Sequence, residues 1–216
     1  MVFGKIEYLN LLPFHIFMKR FTKSNQQKTS MHYKRGVPSK INSEFTARRV
    51  DAAFISSISA LKHKNVELGI IAKKEVLSVL VIPNSDRVKD KESASSNVLA
   101  TILNIQGEVL IGDKALRYYL EDKPYVDLAQ EWNSRYKLPF VFALLCYHKE
   151  QKIYKKIENN FLKNKIYIPQ YILQEASLRT NIPKKEILNY LKYISYSLDA
   201  KAKLGLKKFY RLNSTL

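Results

Sequence analysis

The 216-residue sequence predicts an α/β fold, and three features predict it. Up to about residue 147, short β-like apolar runs alternate with segments of helical spacing, and helices dominate beyond it. Several buried runs stop at small hydroxyl or amide residues that open the next helix. The composition is that of a globular chain, with 46% hydrophobic and 26% charged residues, which excludes disorder throughout. Six Gly and seven Pro exclude a collagen-like or linker-like chain. This length suits one large domain or two small lobes.

Residues 2–9 read as a short strand, and Asn10-Leu11-Leu12-Pro13-Phe14 turns into a helix whose first turn accommodates Pro13. Residues 24–36 are polar and basic and read as including a loop. Gly36-Val37-Pro38-Ser39 leads into a helix carrying Ile41, Phe45 and Val50, with Ser39 as its cap. Asp51–Ile55 reads as a buried strand, Ser56–Leu61 as a helix start, and Val66–Ala72 and Val76–Pro83 as strands. The polar stretch Asn84–Glu92 marks a boundary. Ser93-Ala94-Ser95-Ser96-Asn97 caps a helix to about Leu103, Glu108–Asp113 is a strand ending in a turn, and Ala115–Leu120 is helical. Asp127–Lys137 is a helix bearing Leu128 and Trp132, and Leu138–Tyr147 is a long buried strand. Helices follow at about 149–163, 168–178 and 183–196, with a shorter one near the end.

Lys and Arg total 37 against 19 Asp and Glu, a formal charge of +18. Such a field attracts anions, from nucleic acid to small carboxylates. Much of the lysine falls in 147–165 and 184–211, interleaved with apolar residues at helical spacing, which places it on outer, solvated faces. One cysteine, Cys146, excludes an intramolecular disulfide and a CxxC site. No apolar run reaches the ~20 residues of a bilayer span. The start lacks a basic segment followed by an apolar one, so a reduced, cytoplasmic, soluble protein is expected.

A helix start offers free N–H groups and a positive dipole end. Asn10, Ser56 with Ser57, and Ser93, Ser95, Ser96 and Asn97 each follow or open such an end. Brought to one crevice, they would hold a carboxylate or phosphate. Any one of them alone is only a cap; their recurrence carries the argument. His15, His32, His63 and His148 show no metal-ligand spacing, and GxGxxG, P-loop and GxSxG motifs are missing from the sequence. Leu173–Leu188 resembles a helix-turn-helix, so DNA binding stands as an alternative, although Asn181, Pro183 and the Ile187, Leu188, Leu191, Ile194 stripe also suit an ordinary core helix.

Eight motifs, in order, resemble chorismate dehydratase, the first committed enzyme of the futalosine route to menaquinone. They are Lys5-Ile6-Glu7-Tyr8-Leu9-Asn10 with Leu12-Pro13; Pro38-Ser39-Lys40-Ile41-Asn42; Asp51–Ser57; Glu75–Val81; Glu92–Asn97; Leu110–Leu116; Asp127-Leu128 with Glu131-Trp132; and Leu138–Ala143. They cover about residues 5–147, and the tail matches in character only.

The resemblance implies the two-lobed type II periplasmic-binding-protein fold with a helical C-terminal part. The first lobe would comprise 1–83 and 143–216, and the smaller second lobe 84–142. Crossing strands would lie at Ser78–Ile82 and Phe140–Leu144. Residues 84–92 are short and polar for the additional strand that usually precedes the serine-rich helix. The implied reaction is cofactor-free loss of water from chorismate, giving 3-[(1-carboxyvinyl)oxy]benzoate. By the same resemblance Asn10 and Ser78 are catalytic, and Ser56, Ser93, Ser95, Ser96, Asn97, Asp113 and Phe140 bind substrate. The partner implied is a small dicarboxylate, chorismate, with no metal, nucleic acid or membrane; oligomeric state is left open. The alternatives are the related 1,4-dihydroxy-6-naphthoate synthase, whose usual Pro-Asn-Asp run is replaced here by Tyr-Leu-Asn-Leu-Leu-Pro, a non-catalytic solute-binding protein, and the DNA-binding reading.

Overall fold

The structure, a computed structural model, describes residues 1–24 and 31–215. In chain order the strands are β1 (Val2–Lys5), β2 (His32–Arg35), β3 (Ala52–Ser56), β4 (Asn65–Ala72), β5 (Val79–Ile82), β6 (Glu108–Ile111), β7 (Val126–Asp127), β8 (Phe140–Tyr147) and β9 (Ile194–Ser197). The helices are α1 (Leu12–Ser24), α2 (Pro38–Thr46), α3 (Ser57–Ala60), α4 (Ala94–Leu103), α5 (Gly112–Leu120), α6 (Leu128–Tyr136), α7 (Gln151–Lys163), α8 (Gln170–Thr180), α9 (Lys184–Tyr190) and α10 (Ala200–Asn213). A 3-10 turn, Leu9–Leu11, precedes α1.

A large sheet of six strands has the order β2-β1-β3-β8-β4-β9, and a small sheet of three has the order β6-β5-β7. β1 pairs in parallel with β2 and β3, whereas β8 runs antiparallel to both β3 and β4. The fully buried β3 reads as a continuous apolar run because it is covered on both faces. The strands expected to cross between lobes fall in different sheets. Val79–Ile82 is the centre of the small sheet, and Phe140–Leu144 is the first part of β8. The chain therefore passes between sheets just before each of them. Of the additional strand before α4, a single parallel bridge between Val88 and Glu108 is present.

Aromatic packing sets the positions that matter. Phe14 of α1 meets Phe54 of β3 edge-on at 4.9 Å and Phe161 of α7 at 5.3 Å. Leu9 and Leu11 are buried, so the 3-10 turn is clamped to the same core. On the other side, fully buried Trp132 of α6 meets Phe140 at 5.2 Å and Phe209 of α10 at 6.2 Å. α10 approaches the turn before β8 closely at Gly205, where an added Cβ would lie 2.1 Å from the Pro139 carbonyl.

Two expectations are corrected. The helix at 183–196 ends at Tyr190; a 3-10 turn follows, and Ile194–Ser197 is an edge strand on β4. The helical stripe of Ile187, Leu188, Leu191 and Ile194 runs out at Ile194, where Ile194-Ser195-Tyr196-Ser197 alternates with a period of two and pairs with the edge of β4. Leu188, expected in the core stripe, is exposed on α9. The loop expected within 24–36 falls on 25–30, outside the described residues, and the same segment ends in the edge strand β2, whose exposed polar and basic residues mask a β signal. Ser39 is not a cap: Val37 takes that position and Pro38 the first helical turn. The Asp127 helix start is shared with the two-residue strand β7, which the sequence did not suggest.

The lysines of 147–165 and 184–211 are exposed or half-buried, none buried, as their spacing predicts. Among the described residues no helix is long and apolar enough to cross a membrane.

Candidate active site

Between the two sheets lies a cleft of about 610 Å³, counted to its open mouth. The large-sheet side supplies apolar surface from Ile6, Leu11, Phe54, Ile70 and Phe142, with Asn10 and Ser56 as polar groups. The opposite wall brings Ser78, Ser93, Ser96 and the backbone of Gly112. No lysine, arginine or histidine is among the described lining residues.

Asn10 occupies the middle of the 3-10 turn. The turn is held from two directions: Leu9 N–H donates to Asp113 Oδ1 at 3.0 Å, and the Tyr196 hydroxyl donates to the Asn10 carbonyl at 2.7 Å. The Asn10 side-chain oxygen is buried and has no hydrogen-bond partner. A buried, unpaired acceptor is costly unless a ligand supplies the donor.

Ser78 precedes β5 on an unusual backbone. Leu77 has φ +61°, a conformation uncommon for a non-glycine residue. It is held there by Asp127, which accepts the N–H groups of Val76 at 2.9 Å and Leu77 at 2.7 Å. The other Asp127 oxygen caps α6 through Ala129 and Gln130. Burial pushes the Asp127 carboxyl above its ordinary pKa, against the pull of the four N–H donors. The Ser78 carbonyl accepts Gly112 N–H at 2.8 Å, and its hydroxyl lies 2.8 Å from that of Tyr190.

Ser93 caps α4, accepting the Ser96 N–H at 3.1 Å. Its hydroxyl donates to that of Ser96 at 2.7 Å, a bond that does not use the Ser96 proton. Ser56 is more constrained: Asn42 donates to its oxygen at 2.6 Å, and its proton goes to Ser59 at 3.3 Å.

The remaining sequence candidates are engaged away from the cleft. Ser95 pairs with Ser57 at 2.9 Å and accepts Ile58 N–H, joining α4 to α3. Asn97 grips the Asp90 backbone through both ends of its amide. Asp113 bridges Leu9 N–H and Arg179, the latter at 3.1 Å; burial raises its pKa despite both partners. Phe140 packs among Trp132, Phe142 and Phe209.

Four groups went unassigned in the sequence. Tyr8 lines the cleft and donates its hydroxyl to Glu92, linking the β1 side to the loop before α4; burial raises its pKa. Tyr8 and Asn42 both sit inside quoted motifs, so position was available as a signal. Gly112, with φ +65°, lies against the Tyr8 ring, where an added Cβ would sit at 2.7 Å. Tyr190 carried no motif at all. Among the described residues no three His, Cys, Asp or Glu side chains cluster as metal ligands. Cys146 is buried, which pushes its thiol up to about 12 and leaves it inert at neutral pH.

Two sheets, a cleft between them and helix N-termini turned to it define a type II periplasmic-binding-protein-like fold. Comparison with solved structures agrees. A crystal structure of an Archaeoglobus fulgidus protein matches with a TM-score of 0.70 at 11% identity, over 99% of this chain and 96% of that one. The periplasmic aliphatic sulphonate binding protein SsuA from Escherichia coli matches at 0.61 and 11%, over 100% and 86%. More particularly, the chain belongs to the family described as menaquinone biosynthesis, whose profile matches residues 1–105 and 95–215. A chorismate dehydratase of Campylobacter jejuni is 47% identical over 97% of this chain and 96% of its own length. One of Thermus thermophilus is 23% identical over 96% and 93%.

Proposed function

We propose that this protein is a chorismate dehydratase, a hydro-lyase that converts chorismate into 3-[(1-carboxyvinyl)oxy]benzoate and water. The likeness to the Campylobacter enzyme supports the substrate. The observation that carries the chemistry is the unpaired Asn10 oxygen in a cleft of serine donors whose described lining residues include no cationic side chain and no histidine. An elimination driven by aromatisation needs orientation, donors for one carboxylate and exclusion of water, rather than a strong acid.

The ring carboxylate takes the serine side, where Ser93, Ser96 and the first turn of α4 supply donors. Asn10 holds the C4 hydroxyl, its Oδ1 accepting the hydroxyl proton. Ser78 anchors the substrate beside it. The enolpyruvyl carboxylate of the substrate itself removes the C3 proton. The electron pair left at C3 is delocalised through the ring double bond into the ring carboxylate, then expels the C4 oxygen. The departing hydroxide collects the proton, so one water leaves and no cofactor is consumed. A two-lobed division belongs to this reading, with its changeovers just before β5 and just before β8, where the chain passes between sheets, rather than after residues 83 and 142, and with closure bringing the serines toward Asn10. The lone buried thiol suits a reducing, cytoplasmic setting.

Chorismate incubated with the purified protein, without metal or cofactor, is expected to give a product lighter by one water with aromatic absorbance. Chorismate left unchanged by folded protein overturns the reading.

A further inference from the structure

Three tyrosines of the C-terminal part reach back to the motifs of the first half. Tyr210 donates to the Ser57 carbonyl at 2.8 Å, Tyr196 to the Asn10 carbonyl at 2.7 Å, and Tyr190 pairs with the Ser78 hydroxyl at 2.8 Å. The first two fix backbone. Only Tyr190 touches a side-chain group that the proposed reaction uses.

We propose that Tyr190 is a positioning residue that donates its proton to Ser78 Oγ and so turns the Ser78 O–H into a dedicated donor toward substrate. This rests on the dehydratase reading. Geometry argues for it. Tyr190 ends α9 and is buried on the same face as fully buried Ile187, three residues earlier, so its ring cannot turn to solvent. The backbone of Ser78 is fixed independently by Asp127 and Gly112, which leaves the direction of its proton as the remaining freedom. The pair lies buried, with either oxygen sterically able to donate. A phenol is the stronger donor and weaker acceptor of the two hydroxyls, so the favoured polarity runs from Tyr190 to Ser78. Burial raises the Tyr190 pKa, so the phenol keeps its proton throughout the working range. The Asn10 amide lies beside the same phenol.

The test is a cycle of four proteins: wild type, Ser78→Ala, Tyr190→Phe and the double variant, each assayed for kcat and KM with chorismate. The expected result is a fall in kcat of about 10- to 100-fold for Tyr190→Phe with KM little changed, as for a misdirected group at a reacting centre. Ser78→Ala should fall at least as far, and the double variant should match Ser78→Ala alone. A purely structural role predicts instead that the Tyr190 effect adds to that of Ser78→Ala, and that outcome overturns the inference. So does undiminished kcat in either single variant. Should Tyr190→Phe alone fail to fold, the double variant, which leaves no unpaired hydroxyl, is compared with Ser78→Ala: equal turnover supports the inference and lower turnover overturns it. Wild-type protein that does not dehydrate chorismate strikes the substrate reading and the inference with it. Active wild type with an active Tyr190→Phe strikes the inference alone.

Discussion

The two walls of the cleft are built differently. The large-sheet side rests on six strands and an aromatic core joining β3, α1 and α7, and it gives the cleft mostly apolar surface. The small-sheet side has three strands of two to four residues, yet it carries Ser78, Ser93 and Ser96. The thinner wall holds most of the hydroxyls. A few specific contacts align it: the buried Asp127 carboxylate under Leu77, the half-buried Asn97 amide on the Asp90 loop, and the close approach of Gly112 to the Tyr8 ring.

The sharpest way to break this contrast is at Asp127. Asp127→Ala strips the acceptor from four backbone N–H groups and frees Leu77 from its left-handed conformation. The expected cost is about 3–5 kcal/mol of stability, since buried donors are left without partners. Asp51, which accepts Val2 N–H at the exposed rim of the large sheet, is the control; Asp51→Ala should cost roughly 1 kcal/mol or less. Denaturant unfolding of both variants decides it, and similar losses would erase the distinction between the walls.

Gly112→Ala comes next. A methyl group there meets the Tyr8 ring at 2.7 Å and must also adopt φ +65°. Stability should fall by about 1–2 kcal/mol. Because the collision displaces Tyr8 at the cleft wall, KM for chorismate should rise. An unchanged KM would show that Tyr8 does not shape the site. Asn97→Ala, which frees the Asp90 loop, should cost about 1–2 kcal/mol in thermal unfolding and should disturb the Tyr8–Glu92 link that the same loop carries.

The sequence made the lining of the cleft legible where polar residues ended strands. Asn10, Ser56, Ser93 and Ser96 line it, and so does Ser78, which only the family resemblance singled out. The sequence did not separate them from Ser95 and Asn97, which share the same helix start but point elsewhere; the rotation of about 100° per residue decides that, and the serine cluster is too uniform to show it. Tyr190 and Tyr196 were invisible for another reason. Their partners lie 112 and 186 residues away, and a tyrosine in an apolar segment looks like any core aromatic. Residues 194–196 read as helix because Ile194 continues the helical stripe from Ile187, although Ile194-Ser195-Tyr196-Ser197 alternates and pairs with β4 as a strand.

The large-sheet side has a weak point of its own, which gives the smallest effect. His15 of α1 donates Nε2–H to the Ile6 carbonyl at 2.8 Å, and its Nδ1 is buried without a partner. Burial pushes its pKa down from 6.5 to about 4, against the raising effect of the Ile6 carbonyl; Lys5 and Arg179 lower it further and Glu7 opposes them. The folded protein therefore binds fewer protons than the unfolded chain between these two values. Stability from this site is complete above pH 6.5 and declines as pH falls toward 4. Between pH 7 and 6 the loss should be about 1 kcal/mol or less. His15→Gln keeps an N–H donor for Ile6 but does not titrate, so its thermal midpoint should fall less steeply over the same interval. Parallel pH profiles for the two proteins would remove His15 as an acid-sensitive point and leave the large-sheet side without a polar pin comparable to Asp127.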